Sequence, residues 1–241
     1  MPTTEPEPLS LAKPVALIRK MSHDLRGPLS AITATSELFE EGAYGELTDK
    51  QERAIQRINR NGQRLTTILD HLILYITGES RDFPLLAQPF DPRAVLDAVV
   101  DQVRPALADR PITLELTVGK NLPAQLTGDV TAVRQVLLAL LWNAVGFTQE
   151  GQIQVISKWS TRIGWTIRVQ DTGIGIGADS VPHIFEPFWR GAQTIVPVPT
   201  AGSGLGLAAA RALTSVMNGR LKLEQSSPAG STFRLMLPLK K

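Results

Sequence analysis

Two glycine clusters in the sequence are placed where a bound anion could be held. The first contains Gly173 and Gly175 just after a predicted strand, and the second contains Gly202, Gly204 and Gly206 at the start of the last predicted helix. A helix that begins with glycines offers unpaired backbone amides and the positive end of its dipole, and both suit phosphate oxygens. Neither cluster has the sequence of a Walker loop or of a dinucleotide fingerprint. Because both of these motifs are absent, a nucleotide here would be held in another way. Each cluster alone is equally well explained as a turn.

Two polar side chains accompany these clusters. Asp171 ends a strand with an apolar inner face, so its carboxylate can accept a hydrogen bond from an amino group such as that of adenine. Asn143 interrupts an apolar helix, and its amide oxygen is a suitable ligand for Mg²⁺. Each residue alone has a structural explanation, as a strand-end carboxylate or a satisfied buried amide. Their occurrence in one order with the glycine clusters indicates a nucleotide site.

A histidine near the start of the chain is a candidate nucleophile. His23 is expected to point to solvent, and the neighbouring Asp24 can orient the imidazole and raise its basicity. The other ring nitrogen is then free to attack near neutral pH. We interpret His71 and His183 as surface or capping residues.

The elements that carry this histidine are two predicted helices. Apolar residues recur at steps of three and four from Ile18 to Phe39, with Pro28 expected to kink the helix. Thr48 followed by Gln51 is typical of a capping box, which predicts a second helix that runs to about Thr77. We expect an antiparallel hairpin in which each helix buries one apolar face. Since a hairpin of this size buries little surface, it should pair with a second copy into a dimeric four-helix bundle.

The rest of the chain alternates between helix and strand patterns. The predicted divisions are a flexible lead-in (1–12), the hairpin (13–79), a linker (80–91) and an α/β domain (92–241). Short hairpin turns between several strands predict a two-layer α/β sandwich with a mixed sheet. The predicted helices are 92–109, 130–147 (capped by Asp129) and 205–218, and the predicted strands are 112–118, 152–159, 165–169, 220–225 and 232–237.

Composition excludes several classes of protein. The chain has 241 residues and no cysteine, so disulfide scaffolds, thiolate zinc sites and cysteine nucleophiles are excluded. The 25 Lys and Arg residues are scattered among 23 Asp and Glu residues without long runs, so we expect no nucleic-acid partner. The longest apolar run, Val136 to Trp142, falls far short of the ~20 residues of a membrane span. We therefore expect no membrane segment and a cytoplasmic protein.

Five sequence motifs, in order, resemble those of the sensor histidine kinases of two-component systems. MSHDLRGPLSAI resembles the H-box, VRQVLLALLWNAVGFTQEG the N-box, QDTGIGIGADSVPHIFEPFWRG the G1 and F boxes, and AGSGLGLAAARAL the G2 box. The resemblance covers the chain from about Leu17 onward. It implies a dimerisation and phosphotransfer hairpin followed by a Bergerat-type ATP-binding domain, the fold shared with Hsp90-type chaperones and gyrase.

The resemblance also implies roles for individual residues. His23 is similar to the phospho-accepting histidine, and Asp24 to its activating acidic neighbour. Asn143 matches the residue that holds Mg²⁺ on the ATP phosphates, Asp171 the carboxylate that binds the adenine amino group, and Arg190 the basic residue near the γ-phosphate. By the same resemblance, the segment from about 191 to 201 is a lid. Gly173 and Gly175 would let the backbone pass close to the base. The remaining nucleotide-binding positions belong to the flexible loop of the G2 box: Gly202, Gly204, Leu205 and Gly206.

The implied activity is that of a homodimeric histidine kinase that uses ATP and Mg²⁺ and donates its phosphoryl group to the receiver domain of a response regulator. Three departures from the family pattern bear on this: Gly27 lies where Thr or Asn often supports phosphatase activity, Ala139 replaces an N-box asparagine, and Gly146 replaces a basic residue. The alternative is therefore a pseudokinase scaffold. A serine kinase of the anti-sigma type is disfavoured because such proteins lack the hairpin. Only about 22 residues precede His23, so the sensor module is expected to be separate or missing.

Overall fold

The computed structural model describes residues 12–79, 85–191 and 203–240, apart from the side chains of residues 12–19 and of His23. The chain divides into two compact units, residues 1–82 and 83–241.

The first unit is a helical hairpin. Helix α1 spans Ala12–Glu40 and helix α2 spans Asp49–Glu79, and α1 continues on both sides of Pro28. The predicted capping box is present at the start of α2. The backbone N–H of Thr48 donates to Oε1 of Gln51 at 3.0 Å, and the backbone N–H of Gln51 donates to Oγ1 of Thr48 at 3.4 Å.

The two helices pack on small and polar residues. Ser22, Ser36, Asn59 and Gly62 are buried, and a Cβ added at Gly62 would lie 2.8 Å from Oγ1 of Thr33. Within one chain, part of the predicted apolar stripe stays exposed. Leu25 is 47% exposed and Leu65 is 50% exposed, and Met21, Ile32 and Ile58 are exposed to a similar degree. One chain therefore buries the apolar faces only in part, and their burial in a four-helix bundle with a second copy stays a prediction.

The second unit is a two-layer α/β sandwich with a mixed sheet, as predicted. The strands of its five-stranded sheet are β2 (Ile112–Val118), β4 (Gly151–Ser160), β5 (Gly164–Asp171), β6 (Arg220–Ser227) and β7 (Gly230–Leu237), and the helices are α3 (Pro92–Val103), α4 (Val130–Phe147) and α5 (Gly206–Val216). The sheet has the order β2-β4-β5-β7-β6, in which β2 and β4 are parallel and the other neighbours antiparallel.

The core lies between the sheet and the helices. Alternate residues of β4, β5 and β7, among them Val155, Ile167 and Phe233, are buried on the face that the helices cover. Helix α4 is long and apolar enough to cross a membrane by length and composition, but more than half of it is buried in this core. Its apolar composition is therefore that of a central core helix.

Two short elements were not predicted. Strand β1 (Gln88–Phe90) pairs antiparallel with β3 (Leu126–Gly128), so the segment predicted as linker contains a strand. Runs of three residues carry too little periodicity to be recognised. The helix predicted to end at residue 109 ends instead at Val103 and continues as a 3-10 turn, Arg104–Leu107, because Pro105 has no N–H for the helical ladder.

Candidate functional site

Asp171 is the buried carboxylate of the candidate site. It ends β5 and is 5% exposed. Its Oδ1 accepts hydrogen bonds from the backbone N–H groups of Gly173 at 2.9 Å and Ser231 at 3.2 Å. Burial raises the pKa of Asp171, and these two bonds partly oppose the shift. Within residues 12–79, 85–191 and 203–240, Oδ2 accepts no hydrogen bond, so it is the atom that can receive a ligand's amino group.

The first glycine cluster lies tightly against its surroundings. A Cβ at Gly173 would be 2.3 Å from the carbonyl oxygen of Phe147 at the end of α4. Gly175 has a φ of +69°, and a Cβ there would be 1.8 Å from the carbonyl oxygen of Ser227. The backbone N–H of Ile174 also donates to the carbonyl of Phe147 at 3.3 Å. Glycine is therefore required here for close backbone approach, and the cluster joins the end of α4 to the β6–β7 turn.

The β6–β7 turn contributes residues that sequence reasoning missed. Ser226 Oγ accepts from the backbone N–H of Ile176 at 2.7 Å and lies 3.0 Å from Ser231 Oγ. Gly230 has a φ of +126°, and a Cβ there would be 1.9 Å from the carbonyl oxygen of Asp171. These contacts support Asp171 from about 60 residues away. The Ser-Ser-Pro-Ala-Gly-Ser run is a turn signal, but it does not reveal what the turn contacts.

Asn143 lies half-buried on α4. Among the residues that the structure describes, its side-chain amide has no hydrogen-bond partner, and it is not one of the buried orphaned groups. Ala139 and Gly146 lie on the same helix face, one turn to either side, and both are buried. The arrangement leaves an amide oxygen available to a hard cation.

Arg110 is a second residue that sequence reasoning missed. Its Nη1 donates to the carbonyl oxygen of Val145 at 3.0 Å, and its Nη2 donates to the carbonyl oxygen of Thr148. Arg110 thus caps the last turn of α4, where unpaired carbonyls and the negative end of the helix dipole favour a cation. This is the helix end that Gly173 and Ile174 contact.

The second glycine cluster meets the segment that precedes it. The backbone N–H of Phe188 donates to the carbonyl oxygen of Gly204 at 3.0 Å, and both residues have left-handed backbones, with φ of 63° and 67°. Phe188 is nevertheless 63% exposed, whereas Leu205 is fully buried just before α5 begins at Gly206. Arg190 is exposed and forms no ion pair within the described ranges. Gly202 and the predicted lid, from 192 onward, lie outside the described residues.

The predicted nucleophile belongs to the first unit. His23 lies within α1, but its side chain is outside the described part of the chain, so its predicted exposure stays a prediction; the adjacent Asp24 is exposed. His183 is exposed and its Nδ1 lies 2.9 Å from Glu186, as expected for a surface residue. The surface interpretation of His71 is wrong. Its Nδ1 is buried with no hydrogen-bond partner among the described residues, and burial lowers its pKa despite the opposing effect of Asp70.

Two family models match these two units in order. The model of the His Kinase A (phospho-acceptor) domain matches residues 15–80, and that of the histidine kinase-, DNA gyrase B- and HSP90-like ATPases matches residues 128–241. The chain belongs to the sensor histidine kinase family. The chain is 33% identical to the sensor protein TorS of Escherichia coli over 98% of its own length. It is 32% identical over 91% of its length to the sensor histidine kinase RcsC of Salmonella typhimurium.

Both relatives are much longer proteins. The chain spans about a quarter of their length, 25% of TorS and 23% of RcsC. A similar solved structure is that of full-length ShkA in complex with AMPPNP. It matches 94% of this chain and 46% of its own with a TM-score of 0.76 and 25% identity.

Proposed function

We propose that this chain is an ATP-dependent protein histidine kinase that phosphorylates itself on His23 and passes the phosphoryl group to an aspartate of a response regulator receiver domain. One observation carries the proposal. A hairpin matched by the phospho-acceptor model bears a His-Asp pair, and the unit matched by the ATPase model presents a buried carboxylate with one oxygen free of protein partners in the described ranges.

We assign recognition of the adenine base to Asp171. Two backbone N–H groups hold Oδ1, so Oδ2 is oriented toward a ligand and accepts from the 6-amino group. The glycines at 173 and 175 let the backbone pass close to the base, since any side chain there would meet backbone carbonyls. The AMPPNP bound to ShkA, a relative with the same fold, supports ATP as the nucleotide.

We assign binding of the metal ion to Asn143. The site fits Mg²⁺ because the half-buried amide has no protein partner among the described residues, and Mg²⁺ usually combines one or two protein oxygens with substrate phosphates. A bound Mg²⁺ supplies neutralisation of the phosphate charge. The chain's own contribution is to orient the phosphates, with Gly204, Leu205 and Gly206 presenting backbone amides at the start of α5 and Arg190 supplying a further positive charge.

In the proposed reaction, one phosphoryl group moves from ATP to His23 and then to an aspartate of the receiver domain. A ring nitrogen of His23 attacks the γ-phosphorus while the bond to the bridging oxygen breaks, so that ADP leaves. Asp24 receives the imidazole proton as the phosphorus–nitrogen bond forms. An aspartate of the receiver domain then attacks the phosphorus, and His23 is regenerated. Because this chemistry needs mainly positioning and charge neutralisation, the protein's part is to hold the nucleotide and the histidine in place.

We further propose that the kinase is a cytoplasmic homodimer. Met21, Leu25 and Ile32 on α1, and Ile58 and Leu65 on α2, stay about half exposed in one chain. Burial of each such side chain against a second copy contributes about 1.5–3 kcal/mol at most.

The test is incubation of the full chain with Mg²⁺ and γ-labelled ATP. Wild type and the His183→Ala variant, a control that removes an exposed histidine, are expected to acquire label that is stable to base and labile to acid. The His23→Ala variant is expected to bind ATP and acquire none. Label that survives in His23→Ala would refute the assignment of the nucleophile. ATP binding without any label in wild type would instead favour the pseudokinase scaffold.

A further inference from the structure

The outer face of the five-stranded sheet carries a concentration of positive charge. Helices cover the inner face, and the residues that alternate with the core positions form the outer one. At the end of the sheet near the β4–β5 turn, this outer surface and the turn hold six basic residues, here called the basic face. They are Lys158, Arg162, Arg168, Arg220, Lys222 and Arg234.

The basic face is separate from the candidate nucleotide site. Asp171 ends β5 at the opposite end of that strand from the β4–β5 turn. It also pairs with Ile153, a core position, and therefore lies on the inner face. A ligand at one site leaves the other uncovered.

The strand register places three of these cations in one row. Arg168 is directly opposite Arg234 across β5 and β7, and Arg234 is directly opposite Lys222 across β7 and β6. Like charges in such positions destabilise a sheet. Among the residues that the structure describes, Glu224 is the carboxylate that contacts the row, and it accepts from Nη2 of Arg168 and Nη1 of Arg234, each at 3.1 Å. The row therefore keeps a net positive charge. Because repulsion between these like charges lowers the stability of the sheet, a role in folding does not explain the row.

Three cations of the basic face, one of them from this row, are available to a partner. Lys158, Arg162 and Lys222 are exposed, and none of them forms an ion pair within the residues that the structure describes. Next to Arg162, at the tip of the β4–β5 turn, the apolar Ile163 is 38% exposed. A charged surface with an apolar tip suits an environment in which anionic groups border an apolar layer.

We propose that the basic face docks on a bilayer surface that contains anionic lipids. Its cations are spread over four adjacent strands of a sheet, a width of about 14 Å at the usual strand spacing, so they match a planar array of charges. The outer face of the described strands carries no aromatic side chain, which argues against single-stranded nucleic acid as the partner. Lys and Arg side chains near an anionic leaflet are attracted to it, and Ile163 adds an apolar contact.

Sedimentation of the full chain with lipid vesicles tests the proposal. Wild type should sediment with phosphatidylcholine vesicles that contain about 30% phosphatidylserine at about 50 mM salt, and should be released at about 500 mM. It should not sediment with phosphatidylcholine alone. The triple variant Lys158→Glu, Lys222→Glu, Arg162→Glu leaves the ion pairs of Glu224 in place. Since each basic residue contributes about a fivefold change in partitioning, this variant should bind at least about 100-fold more weakly.

A matched control carries the same change of charge on the helical layer. The triple variant Arg93→Glu, Arg104→Glu, Arg134→Glu replaces exposed cations of the same unit and should keep binding to within about a few-fold of wild type. Far-ultraviolet circular dichroism and ATP binding confirm that both triple variants are folded. Failure of wild type to bind the phosphatidylserine vesicles, or equal losses in the two triple variants, would overturn the proposal. If wild type binds a soluble oligonucleotide more tightly than the vesicles, and the basic-face variant loses that binding, the partner is a nucleic acid and the proposal is overturned.

Discussion

The substitution Asp171→Asn separates recognition of the base from support of the fold. In the structure, Oδ1 is engaged by two backbone N–H groups, while Oδ2 has no partner among the described residues. An asparagine keeps its oxygen where Oδ1 lies and places an NH2 group where Oδ2 lies. That group is a donor, so it faces the donating 6-amino group of adenine.

The magnitude follows from the single hydrogen bond that is lost. A hydrogen bond to a charged acceptor contributes about 1.5–3 kcal/mol. At about 1.4 kcal/mol for each factor of ten, the dissociation constant for ATP should rise by roughly 10- to 150-fold. Because burial raises the pKa of Asp171, the ionised carboxylate is disfavoured in the folded state. The variant should therefore unfold at a temperature no lower than wild type at neutral pH.

Isothermal titration calorimetry with two nucleotides provides the assay. ATP and purine riboside triphosphate, which lacks the 6-amino group, are each titrated into wild type and Asp171→Asn. We expect the large loss for ATP alone, so that wild type distinguishes the two nucleotides and the variant hardly does. Equal losses for both nucleotides would refute the reasoning, because they would mean that Asp171 acts on the loop and not on the base.

Three further predictions concern the supports of the site and the hairpin. Arg110→Ala removes the cap of α4 and should lower the unfolding temperature and weaken ATP binding together, whereas Arg110→Lys should recover part of both in calorimetry. Leu25→Glu places a charge on the exposed apolar stripe and should shift the chain to monomer in sedimentation velocity, with Glu37→Gln as a neutral control; an unchanged dimer would contradict the proposed interface. Arg168 and Arg234 lower the pKa of Glu224 to about 2. The contribution of Glu224 to stability is therefore present above pH ~4.5 and is lost as the pH falls toward 2. The difference in unfolding temperature between wild type and Glu224→Gln should vanish over that range.

Much of the fold follows from local sequence signals. The capping box at Thr48 sets the start of α2, and Asp129 caps α4 by accepting from the N–H of Ala132 at 2.9 Å. The alternation in 112–118 predicts β2 at its observed bounds. These features depend on residues a few positions apart, so they can be recognised without the fold. The spacing of the glycines at 173 and 175 alone is equally well explained as a turn, and their close backbone approach is visible only in the structure.

Local sequence patterns predict the longer helices and strands, the residue types of the site and the order in which they occur, but not the three-residue strands β1 and β3. Tertiary structure alone decided which partners complete the site: Ser231 and Gly230 against Asp171, and Arg110 at the end of α4. It also decided that the hairpin packs on Gly62 and leaves part of its apolar stripe exposed. The physical reason is that periodicity and capping are properties of neighbouring residues, whereas strand register and close packing join residues that are far apart in the chain, and no local pattern encodes those pairings.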